Sequence, residues 1–123
     1  MATTNLSAAD FETTVTDNPV VLVDFWAAWC GPCRAFAPTF EAASAKHDGI
    51  VFAKVDTETE RELAHAARIS SIPTLMAFRD GILVYSQPGA LRAPDLDGLI
   101  EQVLELDMDA VRAQLAEQPS GSH

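Results

Sequence analysis

The stretch Val20-Val21-Leu22-Val23-Asp24-Phe25-Trp26-Ala27-Ala28-Trp29-Cys30-Gly31-Pro32-Cys33 decides how this chain is read. Val20 to Trp26 is rich in β-branched residues and apolar on both faces, the pattern of a central strand covered on both sides. Pro32 suits the first turn of a helix, where a missing N–H costs nothing. Phe36, Phe40 and Ala43 then recur at helical spacing as a core stripe. Pro38 falls inside this helix, where a kink is expected.

Working outward, Thr3 to Leu6 reads as a short first strand, and Ser7 as the N-cap of a short helix. Val51 to Asp56 is a second core strand, reached from the first by a βαβ crossover. Thr57-x-x-Glu60 has the spacing of a capping box and opens a helix to about Ala67. Thr74 to Arg79 and Ile82 to Ser86 are strands joined at Asp80-Gly81, a hairpin signal. Pro94 begins an amphipathic helix with Leu96, Leu99, Ile100 and Val103 on one face. Met108, Val111 and Leu115 restart the pattern, so residues 107–117 are read as an extra C-terminal helix after a domain of residues 1–106. Residues 118–123 are read as a disordered tail.

The 123 residues are 48% apolar and 21% charged, which places the chain among single globular domains. A net charge of −10, with eight scattered Lys and Arg, argues against nucleic acid as a partner. The apolar run from Val20 to Ala28 is too short to cross a bilayer and contains Asp24. Met1 to Asp10 has neither the basic nor the apolar region of a secretory signal, so a cytoplasmic location is expected.

Structural disulfides are rare in that compartment, yet both cysteines lie within one helical turn. A bridge closing so small a loop adds little by chain entropy, so chemistry is the better reason for the pair. Cys30 falls at a helix N-terminus, where unpaired N–H groups and the positive dipole end favour a thiolate. The thiolate is the attacking form. Cys33 sits one turn on, close enough to bridge and more shielded. Two other readings stand beside this one: half of a zinc site, and an inert pair of thiols. A structural zinc usually needs four protein ligands, and neither a second cysteine pair nor a ligand-spaced His47 or His65 supplies them. No metal is expected.

The segment Val20 to Cys33 resembles the active-site segment of the thioredoxin family. The likeness continues through Ala53-Lys54-Val55-Asp56, Ser71-Ile72-Pro73-Thr74 and Pro88-Gly89-Ala90-Leu91, in order and without large gaps, to about Leu106. The resemblance implies an α/β thioredoxin fold, a central mixed five-stranded sheet with helices on both faces. It implies dithiol–disulfide exchange on protein substrates, with Cys30 attacking and Cys33 resolving. An NADPH-dependent thioredoxin reductase would restore the dithiol. No bound cofactor is expected beyond the redox-active Cys30–Cys33 disulfide, and the expected state is a monomer.

Asp24 interrupts an apolar strand, and burial raises the pKa of a carboxyl. On its residues alone it reads first as a satisfied polar group of the core. The resemblance assigns it instead the exchange of a proton with Cys33. Lys54 shares a face with Phe52 on the neighbouring strand, and reads equally as helping to set the charge of Asp24 or as a solvated lysine at a strand end. The resemblance also implies a cis Ile72-Pro73 bond beside the cysteines, the Ile72 backbone pairing with an extended substrate segment by strand addition. Trp29, Gly31, Pro32, Ile72, Gly89 and Ala90 would form an apolar rim around Cys30, with Trp26 packed beneath. Gly31-Pro32 places no charge between the thiols. A reduced form without that support is less favoured, which makes the chain an electron donor rather than an oxidant. An isomerase of the same fold, and a holding protein without redox turnover, are the rival readings.

Overall fold

A computed structural model describes residues 3–117; the residues read above as a tail lie outside them. The strands are β1 (Thr4–Asn5), β2 (Val20–Trp26), β3 (Val51–Asp56), β4 (Thr74–Arg79) and β5 (Ile82–Pro88). The helices are α1 (Ala8–Asp17), α2 (Gly31–Lys46), α3 (Arg61–Ala66), α4 (Ala93–Glu105) and α5 (Met108–Glu117). One five-stranded sheet runs β1-β3-β2-β4-β5, parallel across β1, β3 and β2 and antiparallel from β2 through β5.

Strand β2 is central, and its side chains alternate between two cores. Leu22 packs with Phe36, Phe40, Phe52, Leu75, Leu96 and Ile100, so α2 and α4 cover that face. Val21, Val23 and Phe25 pack with Val15, Val55, Phe11, Leu63 and Ile69, which brings α1 and α3 to the other. This is why an apolar run without alternation forms a strand here: both faces are buried. Asp24, two residues from Leu22, falls on the α2/α4 face.

Helix α2 continues through Pro38 to Lys46. The far end of α2 is tied to α4 by Lys46 Nζ and His47 Nε2, at 2.7 and 3.4 Å from the two carboxylate oxygens of Asp97. The Lys46 hydrogen bond, against a smaller opposing effect of burial, holds the Asp97 carboxyl below its usual range.

Two capping expectations are corrected. Helix α3 starts at Arg61 rather than at Thr57, because the Thr57 hydroxyl and amide both donate to the Trp26 carbonyl, at 3.0 and 2.9 Å. Asp56 Oδ1 accepts from the Glu58 amide at 2.9 Å, so residues 57–59 form a turn held to the ends of β2 and β3. Ser7 stands at the N-cap of α1, but its hydroxyl bonds the Asp10 carboxylate and Glu60 Oε1 accepts from the Ala8 amide at 2.9 Å.

Between β4 and β5, Asp80 (φ 54°) and Gly81 (φ 79°) both occupy the left-handed region, the geometry of a type I′ hairpin. An added Cβ at Gly81 would meet its nearest atoms only at 4.0 Å, so a substitution there is limited by backbone conformation rather than space. Gly81→Ala is expected to lower the unfolding free energy by about 1–2 kcal/mol, measurable by chemical denaturation. An unchanged midpoint would contradict the I′ assignment.

The extra helix read over residues 107–117 is present as α5. Asp107 Oδ1 accepts from the Asp109 and Ala110 amides at 3.1 and 3.2 Å, Met108 is buried, and Arg112 pairs with Asp80 at 3.0 Å. Arg79 closes the end of α4 through the Val103 and Leu104 carbonyls, at 2.7 and 3.2 Å.

Candidate active site

Strand β2 ends at Trp26 and α2 begins at Gly31, so the two cysteines sit where a buried strand feeds a helix N-terminus. Cys30 is the N-cap of α2 and its sulfur accepts from the Cys33 amide at 3.2 Å. An orphan N–H of the first helical turn is thus turned toward sulfur, where it favours negative charge. Cys30 and Cys33 form a disulfide with Cα atoms 5.2 Å apart. Both residues are buried, packed with Ala27, Trp26 and Ile72.

The Ile72-Pro73 bond is cis, as the resemblance implied, and the Ile72 carbonyl oxygen lies 3.6 Å from Cys30 Sγ. Across Pro73, its carbonyl accepts from the Gly89 amide at 2.8 Å, which ties the end of β5 to the same loop. Gly89 has φ 107°, a conformation that L side chains rarely adopt.

A groove of about 490 Å³ opens beside Cys30. Trp29, Cys30, Gly31 and Pro32 line it from the start of α2, together with Thr57, Ala64, Ile69, Ser70, Ser71 and Ile72. Trp29 is 68% exposed, an unusual state for so large an apolar side chain at the mouth of a cleft. Its indole N–H donates to Glu58 Oε2 at 3.2 Å. The sequence reading brought Trp29, Gly31, Pro32 and Ile72 to this groove and missed the wall from α3. An apolar Ile69 in the short polar stretch between α3 and β4 was the available signal. Gly89 and Ala90 are exposed but do not line the groove; Gly89 is joined to the loop beside it through its bond to the Pro73 carbonyl.

On β2, two residues before Trp26, Asp24 is 1% exposed and neither carboxylate oxygen has a hydrogen-bond partner among the described residues. The reading of Asp24 as a polar group satisfied by backbone is therefore corrected. Burial pushes its carboxyl up to about 6 from 3.8, and Lys54 opposes the rise by its positive charge. The parallel ladder sets Asp24 level with Lys54, and Lys54 Nζ lies 4.7 Å over the Trp26 ring centroid. Trp26 is half-buried beneath the site and its indole nitrogen, like Asp24, lacks a partner among the described residues. Unpartnered polar atoms are rare in folded interiors, and three of them gather here. No cluster of three or more His, Cys, Asp or Glu able to hold a metal occurs among the described residues.

A dithiol pair at a helix N-terminus, bridged and set in an apolar groove beside a cis-proline loop, defines a thiol–disulfide oxidoreductase. Residues 2–102 match the model of the thioredoxin family. The chain is 52% identical over 117 residues to a putative thioredoxin 2 of Streptomyces coelicolor, covering 95% of this chain and 87% of that relative. It is 38% identical over 105 residues to a thioredoxin of Alicyclobacillus acidocaldarius, covering 85% and 100%. The solved thioredoxin of Plasmodium falciparum superposes with a TM-score of 0.75 at 36% identity, covering 82% of this chain and 98% of that one. This chain belongs to the thioredoxin family.

Proposed function

We propose that the protein is a protein-disulfide reductase of the cytoplasm, with Cys30 as nucleophile and Cys33 as resolving thiol. The observation that carries this is the placing of Cys30, and not Cys33, in the wall of the groove. A substrate disulfide entering the groove meets the Cys30 sulfur first.

The Cys30 thiolate attacks one substrate sulfur: a Cys30–substrate S–S bond forms, the substrate S–S bond breaks, and the other substrate sulfur leaves as a thiolate that takes a proton. Cys33 then gives its proton to the Asp24 carboxylate and attacks the Cys30 sulfur. The Cys30–Cys33 bond forms, the Cys30–substrate bond breaks, and the second substrate sulfur leaves as a thiolate that takes up the proton Asp24 releases. The substrate gains two electrons and two protons; the protein is left as the disulfide. Lys54, level with Asp24, keeps that carboxylate available as a base. The Ile72 backbone, beside Cys30, pairs with an extended substrate segment. Trp29, Gly31, Pro32 and Ile72 supply the apolar contact, and Pro73 with Gly89 and Ala90 shapes the loops behind it.

Gly31-Pro32 places no charge beside the Cys30 thiolate, so the reduced state gains no support of the kind that makes an oxidant, and the protein gives electrons away. An NADPH-dependent flavoprotein reductase is the two-electron source that closes the cycle. The protein itself needs no cofactor beyond its own disulfide. With Cys33→Ser the second step is lost while the first remains. This variant is expected to accumulate covalent adducts with disulfide-bearing proteins that are released by dithiothreitol, visible on non-reducing gels. Absence of such adducts, with Cys30 demonstrably reduced, would remove the assignment of roles.

A further inference from the structure

The groove beside Cys30 does not end at its apolar lining. Thr57, Ala64 and Ile69 also border a second depression of about 350 Å³, which continues over α3 and is lined by Glu58, Arg61 and His65. Its character is different: the first part is walled by Trp29, Ile69 and Ile72, the second by ionisable side chains. Arg61 and His65 are four residues apart on α3 and share a face.

Arg61 is held in place from one side. Its Nε donates to the Glu58 carbonyl at 3.2 Å and one Nη2 hydrogen to Glu58 Oε1 at 3.4 Å. The other oxygen of that carboxylate already accepts from Trp29. Trp29, Glu58 and Arg61 thus form one connected wall, from the mouth of the groove beside Cys30 to its outer end. A guanidinium has five N–H donors. Two are used here, and with the side chain 79% exposed the remaining three face solvent. A cation anchored through two donors and open through three loses little side-chain freedom on meeting a carboxylate, which the planar fork matches in shape. Of the nearby acids, Glu58 is already paired with Arg61 through one nitrogen of the fork, Glu60 is turned to the Ala8 amide, and Glu62, adjacent in the helix, does not face Arg61.

We propose that Arg61 is a specificity-determining residue of the exchange reaction, favouring disulfide substrates that carry an acidic side chain a few residues from the attacked cysteine. The inference rests on the reductase reading above. The choice is local: charges farther than about 8 Å are screened at physiological salt, so the acids that weigh against the contact are those around Arg61 itself, Glu58 first, and not the −10 net charge of the whole chain.

The test uses the full chain, a chemical or enzymatic reductant, and a set of synthetic disulfide peptides. The peptides differ only in carrying Glu, Gln or Lys at single positions on either side of the cysteine. For the unsubstituted protein, kcat/KM is expected to be about 3- to 10-fold higher with Glu than with Lys at one or two adjacent positions, mainly through KM, and the preference is expected to shrink with added salt. Arg61→Glu is expected to invert that ratio, and Arg61→Gln to flatten it. If the unsubstituted protein reduces every peptide equally well, or if Arg61→Glu scales all of them by the same factor, the specificity role is overturned while the reductase reading stands. If no peptide is reduced at all, the reductase reading fails with it.

Discussion

Replacing Cys30 with serine is expected to abolish disulfide reduction, lowering kcat/KM by at least about a thousandfold. A hydroxyl is not ionised near neutral pH, and its oxygen cannot form the S–S bond through which the electrons pass. The groove remains, since Trp29, Ile69 and Ile72 are untouched. Folding should survive as well. The bridge joins residues only three apart, and closing so short a loop is worth about 2 kcal/mol of chain entropy. Comparison with the reduced unsubstituted protein, which lacks the bridge too, separates the chemical effect from the structural one. The assay is NADPH oxidation coupled through a thioredoxin reductase, with far-UV circular dichroism to confirm the fold. Residual turnover within tenfold of the unsubstituted protein would mean that Cys33 can open substrate disulfides by itself, contrary to its absence from the groove lining.

The second large effect concerns Asp24. Its carboxyl is raised to about 6 from 3.8, chiefly by burial, with Lys54 pulling the other way. Below pH 4 the native and unfolded states both hold the proton, and ionisation costs nothing. Between about pH 4 and 6 the native state holds a proton that the unfolded chain has released, so stability falls as pH rises. Above about pH 6 the full cost of the buried charge is present, on the order of 3 kcal/mol. Asp24→Asn removes that cost. The variant is expected to be more stable than the parent at pH 7, by up to this amount, and to lose the slope between pH 4 and 6 in denaturation experiments.

The same substitution is expected to slow the release of substrate from the mixed disulfide. A positioned base commonly contributes a hundredfold or more, so a loss on the order of a hundredfold at pH 7 is expected. In the parent, release should weaken as pH falls through about 6, where the carboxylate becomes protonated and can no longer take the Cys33 proton. In Asp24→Asn that inflection should disappear. Stability and rate therefore move in opposite directions at neutral pH, which a purely structural role for Asp24 does not produce. A variant that is more stable but releases substrate with an unaltered pH profile would leave Asp24 as a core residue only.

Most of the fold was legible because its signals are local. The apolar run of β2, interrupted at Asp24, announced a strand covered on both sides, and the Phe36, Phe40, Ala43 stripe announced the buried side of α2. Asp80-Gly81 announced the hairpin through the positive φ that its turn requires. The misreading at Thr57 has an equally physical origin. A hydroxyl that caps a helix and one that bonds a neighbouring strand look alike in sequence, and the Trp26 carbonyl, thirty-one residues away, claimed it.

The site divides in the same way. From the sequence alone came a thiol pair at a helix N-terminus with a neutral Gly31-Pro32 between its members, because residue type and spacing within one turn settle those properties. What the tertiary structure decided is everything that depends on contacts between distant segments. The parallel register of β2 and β3 sets Asp24 level with Lys54. The cis loop before β4 brings the Ile72 carbonyl to Cys30. The packing of α3 supplies the second wall of the groove and, through Glu58, joins Trp29 to Arg61. These depend on how the chain closes on itself across thirty to forty residues, and no pattern within a single helix or strand records it.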